Sequence, residues 1–134
     1  MKGVPNLTLT YALVCDDIRR EDSGKLIFIG VYARDVRVSK TPATLVLSLA
    51  VNVQASKALT TDIEIRWLVD GAQRSQIKGQ LVVEEPGPAM LTVTGLIVTG
   101  IEDDATLEFE WRAPDQDWAK LYEIPILASL ASAA

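Results

Sequence analysis

The chain has 134 residues, of which 49% are hydrophobic and 23% charged, with a net charge of −5 and no histidine. This composition is typical of one globular domain, and the acidic balance argues against nucleic acid or an anionic membrane surface as a partner. Without histidine, the chain can build neither Ser-His-Asp nor Cys-His catalysis, nor a histidine-ligated metal site.

The cysteine count and the hydropathy pattern bear on the compartment. Cys15 is the single cysteine, which excludes an internal disulfide and favours a reducing environment. Residues 1–10 lack the apolar stretch of a signal peptide, and no run of about 18 apolar residues is long enough to span a membrane. We therefore expect a cytoplasmic protein of bacterial or phage origin, with no membrane partner and no cofactor.

Apolar and polar residues alternate in several segments, which is the pattern of a β-strand with one buried face. In residues 7–15 the odd positions, including Tyr11, Leu13 and Cys15, are predicted to face the core. The same alternation returns at 45–53. Together with turn signals, the pattern predicts strands at 6–16, 25–38, 43–54, 61–70, 73–84, 89–99, 105–112 and 118–126.

Turn residues separate these strands. Asp70-Gly71 is the dipeptide expected in a tight hairpin, and the prolines and glycine of 84–88 cannot continue a ladder. About eight strands at this spacing predict one all-β domain over residues 1–134, a two-sheet antiparallel sandwich of immunoglobulin-like or C2-like type. A partly open β-barrel is the alternative.

Residues 15–30, CDDIRREDSGKLIFIG, contain the densest charge in the chain. Cys15 is predicted to be a buried core residue, because the flanking carboxylates disfavour a thiolate and no histidine can activate it. Adjacent strand residues point to opposite faces, so Asp16 and Asp17 should not share a site. If the strand continues, its phase places Asp17 inward, where an unpaired carboxylate is costly. Either the strand ends there, or Asp17 pairs with Arg19, Arg20 or Lys25. The predicted network that locks the turn comprises Asp17, Arg19, Glu21 and Lys25.

Two other candidate sites lie near the C-terminal end. Asp103 and Asp104 precede one strand and Asp115 and Asp117 follow it, and such acidic loops could supply oxygen ligands for calcium. The two pairs should lie at opposite ends of that strand, which argues against one shared site. Trp118 and Tyr122, four residues apart, could form a sugar-stacking platform on one strand face. Solvated acidic loops and core aromatics are the simpler interpretations.

The strand within residues 25–33, KLIFIGVYA, is apolar on both faces. A strand of a two-layer sandwich normally has one wet face, so its outer side must be covered. The segment 126–134 is one possible cover, and a partner protein or a second copy of the chain is another. The predicted interaction residues are Ile27, Ile29, Val31, Phe28 and Tyr32.

The segment 15–36, CDDIRREDSGKLIFIGVYARDV, resembles the opening of a family of uncharacterised bacterial all-β proteins. That resemblance implies a sandwich of about this length and no assigned activity, so it transfers no catalytic residue. The matching residues are Asp16, Asp17, Arg19, Glu21, Gly24, Lys25, Gly30, Val31, Tyr32 and Pro42.

From these patterns we predict a non-enzymatic interaction or structural module that acts through an apolar sheet face or a sheet edge, with self-association included. A calcium-binding or carbohydrate-binding module is the alternative, and an enzyme ranks third because no polar residues converge on one site.

Overall fold

Alternating core and surface residues produce nine strands and no helix in residues 2–128, the part of the chain that the computed structural model describes. The strands are β1 (Leu7–Arg20), β2 (Leu26–Val31), β3 (Val36–Arg37), β4 (Ala43–Ala55), β5 (Leu59–Val69), β6 (Ala72–Val83), β7 (Gly87–Ile101), β8 (Ala105–Arg112) and β9 (Ala119–Leu127).

Two sheets form the domain. One has four strands in the order β2-β1-β4-β7, and the other has five strands in the order β3-β9-β8-β5-β6. Neighbouring strands are antiparallel, except that β3 and β9 run parallel. The predicted all-β two-sheet architecture is therefore confirmed, with nine strands in the described residues where about eight were expected.

The core lies between the inward faces of the two sheets. Alternate residues of β4 and β8, among them Leu47, Leu49 and Phe109, are almost completely buried. The predicted hairpin at Asp70-Gly71 is also confirmed, because these two residues alone connect β5 to β6 and both have positive φ, 50° and 83°.

A bulge in β1 overturns part of the predicted strand phase. The register of β1 against β4 shifts between Leu9 and Tyr11, so the inward positions change from odd to even along the strand. Leu9 and Val14 contact the core, whereas Tyr11 is exposed on the opposite side. One extra residue is sufficient to move every later side chain to the other face.

The predicted strand over 25–38 is wrong as one element. Residues 26–31 form β2 at the edge of the four-stranded sheet, whereas residues 36–37 form β3 at the edge of the five-stranded sheet. The chain crosses between the two layers at 32–35, YARD, where no glycine or proline marks the end of a strand.

The four-stranded sheet divides beyond Cys15. Pairing of β1 with β4 ends at Cys15 and Ser48, while β1 continues beside β2 as far as the Arg20–Leu26 pair. Meanwhile β4 stays paired with β7 to Ala43. Residues 16–30 therefore form a two-stranded projection, here called the hairpin arm, that carries the charged segment singled out in the sequence.

Candidate functional site

The outer face of the four-stranded sheet carries nearly all of the exposed large apolar side chains. In residues 2–128, seven such side chains are 43–58% exposed, and six of them lie on this face. We call these six residues the apolar face: Tyr11, Ile27, Ile29, Val31, Val46 and Ile97. The seventh, Val82, is on β6 in the other sheet.

Strand pairing shows how the members of the apolar face are placed relative to one another. Val46 on β4 is directly opposite Ile97 on β7. On β2, Val31 is opposite Cys15 of β1. Cys15 is in turn opposite Ser48, which lies between the core residues of β4 and therefore points outward. Cross-strand neighbours of this kind are within contact distance. Asp17 and Arg19, which are opposite Ile29 and Ile27, lie on the same side of the sheet and border this part of the face.

The size of the apolar face can be estimated from its exposure. With about 200 Å² for a fully exposed residue of this size, six side chains that are about half exposed leave roughly 600 Å² of apolar surface. The largest apolar patch on an ordinary monomer is about 300–600 Å². The summed exposure of the six side chains is thus comparable with the largest apolar patch on an ordinary monomer.

The outer face of the five-stranded sheet has the opposite chemistry. Arg66 Nη2 lies 2.5 Å from Glu110 Oε1, and Arg112 Nη2 lies 3.2 Å from Glu64 Oε2. Trp118 stacks with both cations, its ring centre 4.4 Å from the guanidinium carbon of Arg66 and 4.2 Å from that of Arg112. The domain therefore has one charged, internally paired face and one apolar face.

Cys15 is buried, as the sequence predicted, but not in the core between the sheets. It points to the outer side of the four-stranded sheet, because its pairing partner Ser48 does. Burial is the largest influence on its thiol and raises the pKa, with further increases from the charges of Asp16 and Asp17. A thiol held in its protonated form is a poor nucleophile.

Asp17 lies on the outer face of the hairpin arm, so the expectation that it points inward is wrong. The β1 bulge reverses the phase and places Asp17 opposite the outward Ile29. Its carboxylate accepts a hydrogen bond from Arg19 Nε at 2.5 Å, and this contact is the main reason that the pKa of Asp17 is lowered. Both side chains are well exposed.

Glu21 and Lys25 hold the turn through their backbones. The amide of Glu21 donates to the carbonyl of Lys25 at 2.8 Å, and the amide of Gly24 donates to the carbonyl of Glu21 at 2.9 Å. The Glu21 carboxylate accepts a bond from Ser23 Oγ at 3.3 Å. The four predicted network residues therefore form two separate groups, an Asp17–Arg19 ion pair on the strand and a backbone-bonded turn.

A contact that sequence reasoning missed joins Asp16, Gly30 and Tyr32. The Tyr32 hydroxyl donates a hydrogen bond to the Asp16 carboxylate, which lies directly over Gly30. Burial, followed by this bond and the charge of Asp16, raises the pKa of Tyr32 to about 12. Asp16 and Tyr32 are sixteen residues apart, so the register of the hairpin was needed to find the pair.

The five predicted interaction residues divide between two sides of β2. Ile27, Ile29 and Val31 belong to the apolar face. Phe28 alternates with them and is half-buried on the other side, and Tyr32 packs against the core. The predicted cover, segment 126–134, lies mostly outside the described residues. Its described part does not cover the apolar face, because Ile126 is in the core and the Ala128 amide donates to Asp104 Oδ1 at 2.7 Å.

The acidic loops do not converge. Asp103 and Asp104 precede β8, and Asp115 and Asp117 follow it, so the two pairs lie at opposite ends of that strand. Within residues 2–128, no group of three or more Asp, Glu, Cys or His side chains is close enough to hold a metal ion.

Trp118 and Tyr122 do not form one platform, so that prediction is wrong. Tyr122 is opposite Phe109 and packs against the core, where burial raises its pKa. Trp118 instead stacks on the charged outer face. An irregularity in the β8–β9 register, between Phe109 and Glu110, explains why a spacing of four does not keep these residues on one side.

The edge strands β6 and β7 border a cleft of about 350 Å³. Its lining is mainly apolar and includes Ile63, Ile65 and Ile77, and Lys78 is the one lining residue that can ionise. An adjoining cleft shares Ile63, Lys78 and Gly79 and is also lined by Asp62 and Glu64.

Comparisons with known proteins leave the family open. No protein-family model matches the chain, and a search of curated proteins returns no similar sequence. The N-terminal resemblance therefore stays a prediction. Among the described residues, no helix has the length and hydropathy needed to cross a membrane.

Proposed function

We propose that this chain is a cytoplasmic, non-enzymatic protein-interaction module whose binding surface is the apolar face. One observation carries the proposal: six of the seven exposed large apolar side chains in residues 2–128 are on one side of one sheet. An antiparallel sheet that faces water normally alternates apolar inward and polar outward residues. Val46 and Ile97 break that rule as a cross-strand pair.

The opposite face of the domain supports this choice of surface. Its arginines and glutamates already pair with one another, and Trp118 is occupied by two guanidinium groups. Groups satisfied within the chain gain little from a partner, whereas exposed isoleucine and valine gain by leaving water. The acidic loops and Trp118 give the calcium and carbohydrate alternatives no comparable support.

Val46 and Val82 allow a matched test, since both are strand valines with 58% exposure and only Val46 is on the apolar face. Wild-type protein, Val46→Lys and Val82→Lys would each be immobilised and exposed to cell lysate. Every retained protein would then be purified and titrated individually, the chain itself included. We expect at least one to bind wild type and Val82→Lys equally but Val46→Lys at least tenfold more weakly, a loss of about 1.4 kcal/mol.

Circular dichroism should show that both lysine variants keep the wild-type fold, because each replaced side chain already contacts water. Equal binding by Val46→Lys and Val82→Lys would refute the apolar face as the interface. Failure of every purified protein to bind wild type would refute the interaction function itself.

A further inference from the structure

We infer that two copies of this chain pair edge to edge through β2, antiparallel and about a two-fold axis, so that their apolar faces join into one surface. This inference rests on the proposed function, because it identifies the assembly in which the apolar face becomes a full-sized interface. It follows from the edges of the sheets, the register that a two-fold axis permits, and the two-stranded hairpin arm.

Two of the four edge strands in the described sheets, β2 and β7, carry no charged residue, and of these two β7 contains a proline, Pro88. β3 has two residues, and β6 carries Arg74 and Lys78. On β7, the carbonyls of Ile97 and Thr99 already accept bonds from Trp67 Nε1 and Arg74 Nη1. By contrast, β2 is LIFIGV, six residues without a charge or a proline. Proteins shield edges with charge, proline or short length, so a bare edge is suited to pair with another strand.

The symmetry restricts the register of this pairing. Residues directly opposite in an antiparallel pair point to the same side, and the two-fold axis makes the copies equivalent. A residue must therefore sit on the axis, because any other register would place an outward residue opposite an inward one. With Ile29 on the axis, Ile27 is opposite the partner's Val31, so every outward residue of β2 faces an apolar residue across the axis, while Asp17 and Arg19 remain its neighbours on β1.

Pairing through β2 leaves both apolar faces exposed side by side, so their area determines what the pair can bind rather than why the pair forms. A standard interface buries about 800 Å² on each partner, which is more than the roughly 600 Å² of one apolar face. Two faces side by side exceed it. The hairpin arm gains from the pairing, because residues 16–20 and 26–30 pair only with each other, and two-stranded ribbons are marginally stable alone. A second copy makes this ribbon part of a continuous sheet.

Disulfide trapping tests the register directly. In a Cys15→Ala background, Ile29→Cys should cross-link to itself, since opposite strand residues have Cβ atoms about 4.5–5.5 Å apart, close to the reach of a disulfide. Ile27→Cys and Val31→Cys should each remain monomeric alone and cross-link when mixed. Ile97→Cys is the control, because β7 lies at the far edge of the sheet. In reducing buffer, sedimentation velocity should show a monomer–dimer equilibrium.

Rapid oxidation of Ile29→Cys at micromolar protein supports the pairing, because pairing raises the local thiol concentration to about millimolar. Cross-linking of Ile97→Cys as fast as Ile29→Cys, or a monomer in sedimentation at every concentration, overturns it. The proposed function then still stands if Val46→Lys weakens binding to another protein. The reverse outcome is also distinguishable. If Ile29→Cys cross-links but Val46→Lys and Val82→Lys bind equally well, the pairing through β2 stands and the apolar face is refuted as the binding surface.

Discussion

At the level of single residues, the charged segment 15–30 is organised by a glycine. Gly30 has φ of 69°, in the left-handed region, and a Cβ at this position would overlap the carboxylate of Asp16. The missing side chain lets that carboxylate lie across β2 and accept the Tyr32 hydroxyl. Gly30 thus makes room for the Asp16–Tyr32 hydrogen bond at the base of the hairpin arm.

Gly30→Ala should destabilise the fold by about 2–3 kcal/mol, because alanine strains the left-handed backbone and displaces Asp16. Gly24→Ala separates these two effects, since Gly24 has φ of 91° but open space where a Cβ would lie. It should lose only about 1 kcal/mol through backbone strain. Urea unfolding of both variants measures the difference, and equal losses would contradict the role assigned to Asp16.

Tyr32 should ionise late in an alkaline titration. Its pKa is about 12 in the folded chain, against about 10 for an unfolded tyrosine. Because folding raises the pKa, the contribution of neutral Tyr32 to stability is complete below pH 10 and is lost between about pH 10 and 12. Absorbance at 295 nm should show one tyrosine that ionises near pH 12, and this step should be absent from the titration of Tyr32→Phe. Asp16→Asn should lower the pKa of Tyr32 only part of the way towards 10, since burial is the larger cause of the raised pKa.

At the level of elements, irregularities in the strands decide which side chains share a face. The bulge between Leu9 and Tyr11 sends Cys15 and Asp17 outward, and the β8–β9 irregularity separates Trp118 from Tyr122. Neither leaves a clear sequence signal, because no glycine or proline marks it. A strict period of two therefore predicted the strands but assigned the wrong face beyond each irregularity.

Trp118 should be important for the charged sheet. It precedes β9 and stacks on Arg66 of β5 and Arg112 of β8, so it ties three strands together. Two partly exposed cation–π contacts are worth about 1–2 kcal/mol in total, and Trp118→Ala should lower the free energy of unfolding by that amount. Trp118→Phe keeps an aromatic face and should recover part of it. Equal urea midpoints for the two variants would contradict the stacking role.

At the level of the whole molecule, the two outer faces of the sandwich differ in the side chains that they present to solvent. The five-stranded sheet alternates core residues with Glu64, Arg66, Glu110 and Arg112, which satisfy one another. The four-stranded sheet has the same inward pattern, but Val46 and Ile97 occupy its outward positions. The two sheets cover each other's inner faces, so both outer faces meet the solvent, one with paired charges and the other with apolar side chains.

Much of the candidate surface could be predicted from sequence. Ile27, Ile29 and Val31 stood out because β2 is apolar at consecutive positions, which no half-buried strand requires. Tyr11, Val46 and Ile97 could not be added, since their exposure depends on a bulge and on pairing between distant strands. The Asp16–Tyr32 bond was missed for the same reason.

The sequence by itself determined the all-β class, the Asp70-Gly71 hairpin and the apolar excess of β2, because strand periodicity, turn chemistry and hydropathy are local properties. Only the tertiary structure decided that residues 25–38 serve two sheets, that Asp17 points outward, and that six apolar side chains share one face. These depend on register and layer assignment, which arise from contacts between residues far apart in the chain.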